Sequence, residues 1–330
     1  MTGAADWRPS ASRARLARRA ALLARAREFF AARGVLEVDT PLIVNAPVSD
    51  AHIHSATVAL APAGMAGTGQ PARYFLHTSP EYAMKRLLAA GSGDIYQICH
   101  VARAFEAGRL HNPEFTLIEW YRLGFTLEAL MHEVEALVRG LLGERAGARP
   151  SERLSYRDAF VRELALDPFT AEPATLAAAA AAHGLRSTLD PGRDEYLDFL
   201  MGTVIGPRLG RAGLTFVHGY PASQAALARL DPAEPRAAQR FELYAEGIEL
   251  ANGFHELAAA AEQRARFEED NRARRRRGLP VHALDERLLA ALASGLPDCA
   301  GVALGFDRVL MLATGAGHID EVLAFPTARA

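Results

Sequence analysis

Residues 115–121, Phe-Thr-Leu-Ile-Glu-Trp-Tyr, constrain the fold of this chain more than any other stretch. Successive side chains of a strand point to opposite faces, so Phe115, Leu117, Glu119 and Tyr121 share one face and Thr116, Ile118 and Trp120 the other. A carboxylate and a phenol therefore sit where a core would normally hold aliphatic groups. A buried carboxylate without partners is costly, so Glu119 requires a cation or several donors. Either the run is an exposed edge strand with Glu119 in solvent, or Glu119 and Tyr121 form a pocket wall that orients a ligand ammonium.

A chain of 330 residues can bury a substantial core and has room for one large domain or two ordinary ones. With 50% apolar and 23% charged residues it reads as a folded soluble protein, and a formal net charge of -2 gives no general reason to expect a nucleic-acid coat. Residues 14–36 are apolar-rich but repeatedly interrupted by Arg, which argues against a secretory signal or membrane span and makes cytoplasmic residence the expectation. Cys99 and Cys299 are too few for a disulfide scaffold or an all-cysteine zinc site.

Residues 1–12 read as a loose polar segment, and Leu16, Ala20, Leu23 and Phe30 as one face of a helix ending at Gly34. Pro41 places the following extended piece at a boundary or edge. Residues 64–72 form a glycine-rich turn that lacks the Lys of a phosphate loop. Residues 74–88 give a short strand, a turn at Ser79 and Pro80 and a helix, with Glu81 near the helix end. Two extended runs, 95–101 and 115–121, flank a glycine-containing loop, and Thr126 can cap the next helix. An alanine-rich helix follows with Thr175 as its possible cap. Residues 241–257 return to extended patterning, a charged helix carries the arginine run 272–278, and residues 301–315 supply a strand, a glycine turn and a helix. No repeat or linker separates these pieces, so a flexible 1–12 and one catalytic-sized domain over 13–330 are expected.

Three further groups carry chemistry. Arg103 precedes a loop with Glu106, Arg109, His111 and Asn112, where planar guanidinium forks could bind phosphate oxygens and Phe115 could stack on a base; a salt-bridged hairpin is equally consistent. Glu242, Glu249 and Glu256 recur every seven residues. Gly247 and Asn252-Gly253 favour bends between extended pieces over one helix, and bends can gather side chains of unlike parity. Glu242 and Glu249 could then hold Mg2+ alongside ATP oxygens, with Glu256 facing an amine. Finally, Asp307 can cap a helix after Gly305, putting Arg308 and backbone amides at a site for a triphosphate.

Taken in order, RGVLEVDTP (33–41), TSPEY (78–82), YQICHVAR (96–103), GRLHNPEF (108–115), TLIEWY (116–121), GIELANGFHEL (247–257) and GVALGFDR (301–308) resemble the motifs of a class II lysyl-tRNA synthetase catalytic core. The resemblance spans about residues 13–327 and is narrower still to the synthetase paralogues that ligate lysine to elongation factor P. It implies an α+β fold, a mainly antiparallel active-site sheet surrounded by helices, and a homodimer formed partly through 33–41. The first helix leads almost directly into that motif, so no anticodon-binding domain and no stable tRNA partner are expected.

By motif position, Ser79, Glu81, Glu119, Tyr121, Asn252 and Glu256 would surround lysine or (R)-beta-lysine. Glu81 would lie near the alpha-side amine, Asn252 near the carboxylate, and Glu119, Tyr121 and Glu256 around the distal ammonium. ATP would be the cosubstrate of Arg103, Glu106, His111, Asn112, Phe115, Glu242, Glu249, Gly305 and Arg308. Phe115 would stack on adenine, Arg103 and Arg308 would act as catalytic cations on the phosphates, and Glu242 with Glu249 would hold Mg2+. The family pattern commonly continues Arg-Asn-Glu from the position of Arg103. This chain has Arg103-Ala104-Phe105-Glu106 instead, so Phe105 stands at the usual acidic position and Glu106 would have to supply the adenine contact. The resemblance leaves two alternatives open, a truncated lysyl-tRNA synthetase and a binding protein that keeps the fold without the chemistry.

Overall fold

The computed structural model describes residues 7–60, 72–186 and 192–330. The glycine-rich turn expected over 64–72 therefore lies, up to residue 71, outside the described residues. In chain order the elements begin with α1 (Arg13–Ala31), β1 (Leu36–Glu37), β2 (Ile43–Val44), β3 (Thr57–Leu60), β4 (Ala72–Leu76), α2 (Glu81–Ala89), β5 (Ile95–Ala102) and β6 (Glu114–Leu123). They continue with α3 (Leu127–Leu142), β7 (Glu152–Ser155), α4 (Tyr156–Leu164), α5 (Pro173–Ala182), α6 (Arg193–Leu200), β8 (Leu214–Pro221) and β9 (Ala237–Ala245). The last are β10 (Ile248–His255), α7 (Ala260–Arg276), α8 (Glu286–Gly295), β11 (Cys299–Gly305) and α9 (Phe306–Thr314).

An eight-stranded sheet, ordered β1-β5-β6-β11-β10-β9-β8-β7, forms the frame, and β2-β4-β3 make a separate small sheet. The large sheet is antiparallel between β5 and β8 and parallel only in its outermost pairs, β1 with β5 and β7 with β8. Antiparallel strands need only one packed face, so the other is free to carry polar groups. β6 divides that way: Ile118 and Trp120 enter the core with residues of α1, α3 and α9, while Tyr121 packs with α2 and α8 residues on the opposite side. Trp120 Nε1 satisfies its one donor on Glu133 Oε2 of α3 at 3.1 Å. β6 is thus a central strand, not an edge, and the face bearing Glu119 is the one from which Tyr121 packs toward α2 and α8.

Local expectations met their physical tests unevenly. Thr126 caps α3, its hydroxyl accepting from the Ala129 amide at 3.1 Å. In α1 the buried line is Leu22, Ala26 and Phe30, and Ala20 is exposed, because a stripe four residues apart, displaced from the expected one, faces α3 and α9. Ser10 and Ala11 are already tied to the chain's end by backbone bonds to Ala324 (2.8 Å) and Leu323 (3.0 Å), so the loose segment expected over 1–12 does not reach them. α5 begins at Pro173 with Glu172 at its N-cap, leaving Thr175 inside the helix. Asp307 caps nothing: its carboxylate accepts from Arg19 Nη1 (2.5 Å) and from the Thr116 amide (2.6 Å), locking α1, β6 and α9 together.

The β9–β10 hairpin turns at Glu246 and Gly247, both left-handed with φ of 51° and 76°. No bend occurs at Asn252-Gly253, which lies within β10. Gly253 is needed for space, since a Cβ there would come within 2.5 Å of the Phe241 ring. Among the described residues no helix is long and apolar enough to cross a membrane.

Candidate active site

Short-range geometry begins at the β4–α2 turn. The Ser79 hydroxyl accepts from the Glu81 amide at 3.0 Å and donates to Glu119 Oε2 at 2.7 Å, so the turn that starts α2 also delivers a donor to β6. Glu119 Oε1 accepts from the Tyr121 hydroxyl at 2.8 Å. The Glu119 side chain is buried at 2% exposure and, among the described residues, has no Lys or Arg within ion-pair distance. Burial, then the charge of Glu81, push its carboxyl up to about 8 despite both hydroxyls. This is a carboxylate short of a cation.

A cation the sequence reading passed over sits beside it. Lys85, on α2 four residues after Glu81, places Nζ 2.7 Å from Glu81 Oε1 and 2.6 Å from Glu256 Oε2. Burial by itself would lower the lysine's pKa, but Glu256 and Glu81 outweigh it and the ammonium stays charged. Burial raises the Glu256 carboxyl to about 7, with Lys85 opposing and Glu81 adding to the rise. Glu81 and Glu256 therefore share one resident ammonium, and Glu119 is left without one among the described residues. The available signal was the Glu81-x-x-x-Lys85 spacing, which aligns both groups on one helix face.

The neighbouring strands finish this face. Gly301 of β11 is opposite Tyr121 in register, and a Cβ on it would meet the Tyr121 ring at 2.3 Å and Glu256 Oε1 at 2.6 Å. Only glycine keeps that ground open. Between Glu249 and Ala251 the pairing of β10 with β9 slips by one residue. This bulge brings Glu249 onto the same face as Asn252 and Glu256 despite unlike parity, the result expected of bends achieved by an extra strand residue. Glu242 of β9 accepts from Arg240 Nη2 (2.5 Å) and Tyr244 OH (2.6 Å), and Arg240 Nε donates to Asn252 Oδ1 at 3.2 Å. Arg240, a second cation missed from sequence, thus organises both Glu242 and Asn252. Desolvation and the Glu242 charge raise the Glu249 carboxyl.

The β5–β6 loop forms the remaining wall. Arg103 carries its guanidinium carbon 5.1 Å over the Phe115 ring and donates from Nε to the Thr78 carbonyl at 3.3 Å, linking this wall to the Ser79 turn. Arg308, in the first turn of α9 after Gly305, donates to the Glu249 carbonyl (2.9 Å) and to His111 Nε2 (2.7 Å). Burial and then Arg308 lower the His111 pKa, consistent with a neutral ring that accepts. Glu106 is 4.0 Å from Arg103, whereas Asn112 is occupied elsewhere: its amide donates to the Glu114 carbonyl (2.6 Å) and the Thr327 hydroxyl (3.1 Å). Asn112 holds the loop to the C-terminal segment and does not present its side chain to the cleft.

The arrangement joins a buried acidic cluster that outnumbers its one lysine to a wall with an aromatic ring, two arginines and paired carboxylates. A family model for class II tRNA synthetases (D, K and N) matches residues 2–329. The chain belongs to this family. It is similar to proteins named elongation factor P--(R)-beta-lysine ligase: 50% identical to that of Vibrio cholerae, covering 98% of this chain and 99% of the relative. The relative from Yersinia enterocolitica is 50% identical and that from Salmonella typhi 48%, each over the full length of both chains.

Proposed function

We propose that the chain uses ATP to activate lysine or (R)-beta-lysine as an aminoacyl-adenylate and transfers the aminoacyl group to the ε-amine of a lysine on elongation factor P. The observation that carries this reading is Glu119, a carboxylate buried with two hydroxyl donors and, among the described residues, no resident counter-ion. A ligand ammonium supplies the missing charge. Glu81 and Glu256 exceed the charge of Lys85 by one, which leaves room for a second amine of the same ligand.

In the first step a ligand carboxylate oxygen bonds to the alpha-phosphorus of ATP and the bond to pyrophosphate breaks. That carboxylate is already ionised, so no protein base is required; alignment and charge neutralisation are. Arg103 and Arg308 fit this demand, and His111, kept neutral, orients Arg308 by accepting from it. Phe115 offers the adenine its ring. In the second step the neutral acceptor amine attacks the activated carbonyl, the carbon–oxygen bond to AMP breaks, and an amide remains.

The residues fit a divalent cation only in company with ATP. Among the described residues no group of three or more His, Cys, Asp or Glu gathers as a metal site. Glu249, raised by burial and by Glu242, supplies carboxylate charge that wants a cation, and nucleotide oxygens would complete the set. Glu242 and Glu249 would hold Mg2+, which would offset phosphate charge when bound.

Exposed Leu36, Leu42 and Ile43 in and just after the 33–41 motif support pairing of two copies there, testable by light scattering. The arginine run lends RNA charging no comparable support: Arg272 and Arg276 pair with Glu269 and Arg274 is buried.

Pyrophosphate exchange into ATP, with alpha-lysine and each beta-lysine enantiomer, tests activation; transfer of labelled amino acid to elongation factor P or to transfer RNA tests the acceptor. Exchange followed by labelling of the protein alone supports the proposal. Labelling of RNA alone overturns the acceptor, and silence in exchange from folded protein overturns the enzyme.

A further inference from the structure

We infer that Gln97 is a further ligand-binding residue of this site, its side-chain carbonyl accepting a hydrogen bond from the ammonium that pairs with Glu119. The inference deepens the ligase reading above and rests on it.

Strand register places Gln97 in line with the site. Gln97 of β5 is opposite Glu119 of β6, Glu119 is opposite Ala303 of β11, Ala303 is opposite Asn252 of β10, and Asn252 is opposite Glu242 of β9. Residues directly opposite in an antiparallel ladder point to the same face, with Cβ atoms about 5 Å apart. These side chains therefore form one row across the sheet, on the face that carries Glu119. The other polar members have firm partners: Ser79 and Tyr121 donate to Glu119, Arg240 donates to Asn252 Oδ1, and Arg240 and Tyr244 donate to Glu242. Gln97 ends the row without such partners.

Gln97 is 1% exposed, and among the described residues neither its Oε1 nor its Nε2 has a nitrogen or oxygen partner. Its neighbour two residues on, Cys99, offers only a thiol, a weak hydrogen-bonding group. Gln97 lowers the pKa of that thiol against the effect of burial, as a group donating to sulfur does, so Nε2 serves Cys99 and Oε1 is left over. An unmet buried amide is costly, and this one lies one strand away from a carboxylate that is itself short of a cation. One ligand group meets both needs, because an ammonium has three donors and can serve Glu119 and a second acceptor beside it. The neutrality of that acceptor matters. Glu81, Glu119 and Glu256 already exceed the charge of Lys85 by two, the number of ammonium groups on a lysine isomer, and a carboxylate at 97 would overshoot it. Gln97 adds direction without adding charge.

The test pairs binding with stability in the full chain. Gln97→Met, similar in volume but without the amide, is compared with the parent for KM of lysine and of ATP in pyrophosphate exchange, using the lysine isomer that the parent prefers. The matching aminohexanoic acid, which lacks the distal amine, is measured as a competitor, and melting temperature is followed with and without lysine. KM for lysine is expected to rise about tenfold or more, since a hydrogen bond to a charged group is lost, while KM for ATP and the inhibition constant of the aminohexanoic acid stay within about twofold. The empty protein should melt at the same temperature or higher, because the unmet amide is gone, and the upward shift produced by lysine should shrink. A glutamine with a structural role gives the reverse, a lower melting temperature with an unchanged KM for lysine, and that result would overturn the inference. So would equal losses of lysine and of the aminohexanoic acid, which would trace the effect to the shape of the pocket. Should Gln97→Met fail to fold, Gln97→Asn, which withdraws the amide by one methylene, decides by the same comparison of the two ligands. A folded parent that shows no exchange with any lysine isomer would instead defeat the ligase reading, and the inference with it.

Discussion

Lys85 Nζ lies 2.6 Å from Glu256 Oε2, with both side chains 1% exposed. This pair sets the charge of the pocket. One resident ammonium serves Glu81 and Glu256 and leaves Glu119 without a cation among the described residues, and in the proposed function a ligand ammonium fills that place. Had all three carboxylates been matched by lysines or arginines, the pocket would have repelled a diamine.

Lys85→Met strands two carboxylates in the interior and is expected to cost about 3–5 kcal/mol, the usual penalty for breaking one side of a buried pair. Urea unfolding checks this. Adding Glu256→Gln to Lys85→Met should return a large part of the loss, because the stranded charge is then gone. An unchanged urea midpoint for the single variant would show that the cluster is not held by this ion pair.

The pH dependence follows from Glu119. Its pKa is raised on folding to about 8, so the folded state binds the proton more tightly than the unfolded one. Its contribution to stability is present at low pH and is lost as pH rises through about 8. The empty protein should therefore lose melting temperature relative to Glu119→Gln between pH 6 and pH 9. Added lysine should offset the loss, since its ammonium pairs with the ionised form. For the same reason the KM for lysine in exchange should fall as pH rises from 6 to 8, by at most about tenfold per unit for one proton. Parallel melting curves for parent and variant would remove Glu119 as the titrating group.

Most of the frame could be read in the sequence. The side-chain parity of 115–121 correctly separated Trp120 from Glu119, because a two-residue period has no competing interpretation once the strand is central. Lys85 and Arg240 escaped for the opposite reason: each lies in an ordinary polar context, and only tertiary packing reveals that Lys85 is buried between two carboxylates and that Arg240 is half-buried against Glu242. Gly253 was misread because glycine signals either a turn or a close approach, and sequence does not say which; the Phe241 ring decides it. Asn112 looked available to a nucleotide, and its use by Thr327, 215 residues away, is a long-range contact with no local mark. Asp307 likewise has the right place for a cap, but Arg19 and the Thr116 amide offer it stronger partners than its own helix does.

Gly301→Ala should damage amino-acid binding selectively. A methyl group there would lie 2.3 Å from the Tyr121 ring and 2.6 Å from Glu256 Oε1, so the ring or the carboxylate must move. Displacing either disturbs the groups around the ligand, and a rise of about tenfold or more in KM for lysine is expected, with ATP binding little changed. Exchange kinetics at varied lysine and varied ATP separate the two. A parent-like KM for lysine would mean that the ligand does not depend on the Tyr121–Glu256 geometry.

Arg308→Lys preserves charge but not shape. The guanidinium divides its donors between the Glu249 carbonyl at 2.9 Å and His111 at 2.7 Å, which fixes its plane at the start of α9. A lysine ammonium is a point charge on a flexible stem and cannot meet both partners while facing phosphate. Losing one preorganised donor to developing charge costs about 10²–10³ in turnover, and that is the fall expected in the exchange rate. His111 supplies a readout independent of activity. Its pKa is lowered by burial first and by Arg308 next, so Arg308→Ala should raise it while Arg308→Lys should leave part of the depression in place. Following the His111 ring protons through a pH titration by NMR distinguishes these cases. A full rate in Arg308→Lys would mean that charge alone serves the reaction and that the fork held by His111 and Glu249 is structural.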